Sequence, residues 1–88
     1  MTWRARITGP ALRDLDRLTP RVSEPLVAFI FGSLCEDPTR RGKPLRRELE
    51  GRWAARRGDY RVVYRLDRDR ELLIVLAVTH RSDVYRPR

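Results

Sequence analysis

Eighty-eight residues are enough for one domain, residues 1–88, with one modest core that buries roughly 60–65% of the unfolded chain's surface. The formal net charge of +8 favours a polyanion or an acidic protein as partner. No apolar run approaches the roughly 18 residues of a membrane span, and one cysteine (Cys35) with one histidine (His80) excludes an internal disulfide and any credible zinc or iron site.

The N-terminus lacks a signal-peptide hydrophobic stretch, so the cytoplasm is the expected location and no cofactor is expected there. Residues 3–8 alternate Trp3, Ala5 and Ile7 with Arg4, Arg6 and Thr8, which predicts a half-buried strand. Thr8-Gly9-Pro10 then opens a helix, with proline where a missing N–H costs least. Leu12, Leu15 and Leu18 give that helix an apolar stripe, and Arg13, Asp14, Asp16 and Arg17 its wet side. Thr19-Pro20 repeats the start signal. Val22, Leu26, Phe29, Ile30 and Leu34 recur at helical spacing, with Cys35 in the same pattern as an inert buried thiol. Pro25 falls inside this second helix, where a kink or a restart at Ser23 is expected. Asp37-Pro38 ends it.

The C-terminal half carries the charge. Residues 1–39 hold five arginines against five acids, whereas residues 40–88 hold fourteen arginines and Lys43 against seven acids. Residues 39–42 read as a short basic turn, and residues 43–51 as an irregular connection pinned by Leu45 and Leu49. Residues 53–57 and 60–66 flank Gly58-Asp59 as a tight hairpin, where glycine in the first turn position suits a type II′ turn. After a turn over 67–70, residues 71–80 form the most hydrophobic strand, expected to be central. The order is β-α-α-β-β-β, an α+β fold with two helices packed on one face of a small twisted, mainly antiparallel sheet.

Periodicity separates structural from chemical positions in the hairpin. Tyr60, Val62, Tyr64 and Leu66 share one face of their strand, which suits packing beneath the helices. Arg61, Val63 and Arg65 share the other face, beside a partner strand that carries Arg56 or Arg57. The strand ending at His80 delivers Arg81 and Tyr85 near the sheet margin. The expected result is a shallow basic groove on the uncovered face.

Gly58-Asp59-Tyr60-Arg61-Val62-Val63-Tyr64, preceded by Leu49-Glu50-Gly51 and Trp53 and followed by His80-Arg81-Ser82-Asp83-Val84-Tyr85, resembles the RelE/ParE toxin superfamily. The likeness is closest to the RelE-type messenger-RNA interferases and spans essentially the whole chain, including Gly-Lys-Pro-Leu at 42–45. The resemblance implies a ribosome-dependent endoribonuclease that cleaves messenger RNA in the decoding site. It also implies a RelB-like, acidic or amphipathic antitoxin that wraps the toxin in a heteromer. Attack of a ribose 2′-OH on its phosphodiester needs a base, charge stabilisation at the phosphoryl oxygens and a proton for the departing 5′-oxygen.

Arg61 and Arg81 match the family's phosphate-contacting arginines, and a planar guanidinium can hold two phosphoryl oxygens at once. Arg56 matches a basic position on the first hairpin strand, and Tyr85 the C-terminal tyrosine that stacks on a base or orients the phosphate. Lys43, Arg46, Arg47 and Arg57 are further phosphate-binding candidates. Arginine is a poor general base, and the position where some relatives carry lysine is Ala54 here. His80 is the one side chain of a type that titrates near neutrality, and so a candidate acid or base. Two other functions share the fold: inhibition of DNA gyrase through protein contacts, and a non-catalytic RNA- or partner-binding module.

Overall fold

A computed structural model describes residues 2–83. The strands are β1 (Arg4–Ile7), β2 (Lys43–Pro44), β3 (Trp53–Arg57), β4 (Tyr60–Asp67) and β5 (Leu72–His80). The helices are α1 (Gly9–Asp16), α2 (Pro20–Phe29) and the single turn α3 (Pro38–Arg41). The sheet runs β1-β5-β4-β3-β2, parallel between β1 and β5 and antiparallel elsewhere. The expected helices-on-sheet fold is present, as a five-stranded mixed sheet. The central strand is β4; β5, expected in the middle, lies one place nearer the edge, between β4 and β1.

Alternation along the strands builds the core. Ala55 on β3, Val62 and Tyr64 on β4, and Leu73, Val75 and Val78 on β5 are buried against Ala11, Leu15, Leu26, Ile30 and Leu34. The spacing of Val75 and Val78 breaks the two-residue period. Val63 pairs with Ala77 but Tyr64 pairs with Val75, so Leu76 is an extra residue that switches the phase of β5. Just past this bulge the Val78 N–H donates to Asp14 Oδ2 at 2.9 Å. Asp14 therefore faces the sheet and not the solvent, contrary to the expected wet side. Leu12, expected in the apolar stripe, is 50% exposed, and Ala11 takes its place.

Both main helices open as their sequences predict, with Thr8 and Thr19 in extended caps and proline in the first turn. The Thr8 hydroxyl does not cap α1; it donates to the Val75 carbonyl at 2.7 Å and fastens α1 to β5. Pro25 is accommodated within α2 without a restart. The break comes at Gly32, whose φ of −100° and ψ of −106° interrupt a π-helical stretch, Ile30–Leu34, that follows α2. Cys35 is buried, and burial pushes its thiol pKa up, as an inert thiol requires.

The connection at 43–51 is more ordered than its sequence implies. Lys43 and Pro44 pair with Ala54 and Trp53 as the edge strand β2, and Arg47–Leu49 make a 3₁₀ turn. Leu45 is half-buried and its N–H donates to the Arg52 carbonyl, but Leu49 is 44% exposed and pins nothing. Gly58 has φ +61° while Asp59 is not in the positive-φ region, as a type II′ turn demands.

Candidate nucleic-acid interface

The β3–β4 register places Arg56 directly opposite Arg61. Both stand on the face the helices leave open, since Ala55 and Val62, one residue away, are buried beneath the helices. Lys43 joins them from β2, facing Ala54 across the ladder. With Arg41, Pro44 and Leu45, these residues line a concavity of about 430 Å³. Its charged lining side chains are all cations: Arg41, Lys43, Arg56 and Arg61. Arg6 and Arg65, which flank Ile74 on β1 and β4, continue the basic character of this face.

Arg81 joins the same end of the sheet. Its N–H donates to the Asp59 carbonyl at 2.8 Å, extending the β4–β5 ladder past the Tyr60–His80 pair. Arg61 faces Thr79, and Arg81 lies two residues further on, where it opens a 3₁₀ turn, Arg81–Asp83, past the end of β5. Arg81 is not among the residues that line the concavity. Arg81 Nε lies 3.7 Å from Asp59 Oδ1, and both side chains are about two-thirds exposed (66% and 64%). A solvated pair of this kind adds little stability and yields readily to a phosphate.

The other sequence candidates are placed elsewhere. His80 shares a row with Tyr60, on the opposite face from Arg61 and Thr79. Its ring meets Tyr60 edge-on at 5.1 Å, and its Nδ1 accepts from the Ser82 N–H at 3.2 Å. The structure does not bring this imidazole to the groove. Arg57 lies on the helix side, with its guanidinium 5.8 Å from the centre of the Phe29 ring. Arg46 and Arg47 are exposed on the connection after β2 and do not line the concavity. Tyr85 lies outside the described residues.

Arg41 lines the groove without standing out in the sequence. Its signal is its place two residues before Lys43, hidden because β2 is too short to register as a strand. Among the described residues no cluster of His, Cys, Asp or Glu is arranged to hold a metal ion, and no helix is long and apolar enough to cross a membrane.

Two helices beneath a five-stranded mixed sheet, with arginines crowding its open face, define a RelE-like α+β toxin fold. Residues 5–85 match the family described as the ParE toxin of type II toxin–antitoxin system, parDE, so the chain belongs to that family. It is a toxin of a type II toxin–antitoxin system. The sequence is 49% identical to Toxin RelG of Mycobacterium tuberculosis (strain ATCC 25618 / H37Rv) over 86 residues, 98% of this chain and 99% of the relative. It is 45% identical to Toxin RelE of the same organism over 84 residues, 96% of this chain and 87% of the relative. In three dimensions it is similar to a chain of the RelBE2 toxin–antitoxin complex from Mycobacterium tuberculosis. The TM-score is 0.89 at 46% identity, covering 91% of this chain and 99% of the other. The fold also resembles the RelE–RelB complex from Pyrococcus horikoshii OT3, with a TM-score of 0.72 at 24% identity over 99% of this chain and 100% of the other.

Proposed function

We propose that this toxin is a ribosome-dependent endoribonuclease that cleaves messenger RNA by attack of a 2′-OH on the scissile phosphate. The observation that carries this reading is the Arg56–Arg61 pair. Two like charges directly opposite on neighbouring strands repel each other. An anion seated between them turns that repulsion into attraction. Arg61 and Arg81 would hold the phosphoryl oxygens as charge develops, with Arg56 and Lys43 on the flanking side and Tyr85 supporting base or phosphate. A substrate held in line at this clamp gains most from positioning and electrostatics, which together dominate the catalysis of phosphoryl transfer.

His80 has no part in this scheme, because its row faces away from the clamp. Among the described groove-lining residues no carboxylate or imidazole is available to take the 2′-OH proton. That fits an enzyme that completes its site on the ribosome. It is also the observation that favours the second reading, inhibition of DNA gyrase through protein contacts, which needs no proton acceptor. The action is placed in the cytoplasm, where both targets reside.

The partner is a RelB-like antitoxin, acidic or amphipathic. The complexes formed by the similar structures support this, and the basic face supplies the attraction. Primer extension on messenger RNA from cells expressing the chain separates the readings. Codon-phased cuts support the nuclease; intact messages with inhibited supercoiling support gyrase as the target.

A further inference from the structure

The cations on one side of the groove come from elements too short to position themselves. Arg41 ends a single helical turn, and Lys43 belongs to a two-residue strand on the sheet edge. A helix of one turn leaves its carbonyls without intrahelical donors. The residue after the turn, Gly42, is extended, with φ −118° and ψ 176°, so the helix does not continue. The Tyr64 hydroxyl donates to the Pro38 carbonyl in that turn, at 2.5 Å.

Gly42 supplies an independent sign of the same contact. Its φ is one that any residue adopts, so conformation does not call for glycine there. Space does. A Cβ at Gly42 would overlap the Tyr64 Oη, approaching Tyr64 Cζ to 3.0 Å and the Ala54 carbonyl oxygen to 3.1 Å. The backbone immediately before Lys43 therefore lies directly on the phenol. Tyr64 itself is wholly buried and belongs to β4, the central strand, on the face opposite Arg61. Its ring leaves the central strand and ends against the backbone that carries Arg41 and Lys43.

We propose that Tyr64 is a positioning residue for the groove: its hydroxyl holds the Pro38–Lys43 backbone so that Arg41 and Lys43 face Arg56 and Arg61. Tyr64 touches no substrate. It acts through the two cations, and the proposal rests on the groove being the RNA-binding surface. Tyr64→Phe removes the hydroxyl and keeps the ring, so the core remains filled. Gly42→Ala sets a Cβ against the Tyr64 Oη and so displaces the same backbone while every core side chain keeps its identity, and it serves if Tyr64→Phe fails to fold.

The test combines hydrogen exchange with binding of a short single-stranded RNA oligonucleotide to the purified chain. In Tyr64→Phe, the amides of residues 40–43 and 45 should exchange faster while those of β4 and β5 keep their protection. RNA affinity should fall about fivefold, as loss of one buried hydrogen bond allows. In a Lys43→Ala background the same substitution should cost less, because one of the two groups it positions is gone. Unchanged exchange at residues 40–43 and 45 would overturn the proposal. So would full additivity with Lys43→Ala. If Lys43→Ala and Arg61→Ala leave RNA binding unaltered, the groove reading falls and the positioning role with it, whereas intact effects at those residues and none at Tyr64 refute the positioning role alone.

Discussion

Arg56 and Arg61 occupy a cross-strand position where opposite charges or apolar pairs would stabilise the sheet more. Removing one of them should therefore separate stability from function. Arg61→Ala is expected to leave the urea midpoint unchanged or raise stability by about 0.3 kcal/mol, while lowering messenger-RNA cleavage roughly 10²–10³-fold. Equilibrium unfolding and a cleavage assay on the same preparation check both halves. Tyr64 gives a prediction of a different kind. Burial pushes its phenol well above the usual tyrosine range. The folded chain keeps that proton where the unfolded chain, titrating near about pH 10, has released it. The resulting stability is fully present below about pH 10 and declines as pH rises further. Urea midpoints at about pH 9 and about pH 11 should diverge less in Tyr64→Phe than in the parent chain.

At the scale of elements, the hairpin is the most legible part of the sequence. Gly58-Asp59 names its turn, and the alternation of Tyr60, Val62 and Tyr64 with Arg61, Val63 and Arg65 sorts its faces, because a two-residue period and a two-residue turn are local properties. Gly58→Ala should cost about 1 kcal/mol from the positive φ alone, read as a shift in the urea midpoint. What escapes the sequence depends on distant partners. The β5 bulge at Leu76 exists because Tyr64 meets Val75 across the ladder, and no pattern within residues 72–80 marks it. That bulge is why His80, reached by simple counting, ends on the helix side with Tyr60 and away from the groove. Asp14 reads as a solvated helix residue because its acceptor role needs the Val78 N–H, which is 64 residues away. Pro25 is the obvious helix breaker, yet Gly32 carries the irregular backbone. Two residues of β2 are too few to show any period, so Arg41 is hidden in the sequence while Lys43, the sole lysine, stands out.

At the scale of the whole molecule, the helices cover one face of the sheet, and Arg6, Lys43, Arg56, Arg61 and Arg65 stand on the other. This division lets a chain with a net charge of +8 keep a core in which no described buried side chain is charged. Its binding to single-stranded RNA should weaken steeply with salt, by about 0.7 in the log–log slope for each phosphate neutralised. Substituting Arg61 should reduce that slope by about one phosphate's share, measured by titration at several salt concentrations. The central claim is that cations from β2, β3, β4 and the end of β5 act together on one scissile phosphate. Its most direct test is cleavage of messenger RNA on programmed ribosomes by the parent chain and by the folded Arg61→Ala/Arg81→Ala double variant. Codon-phased cuts by the parent chain, lost in the double variant, are the predicted result; undiminished cutting by the double variant would contradict it.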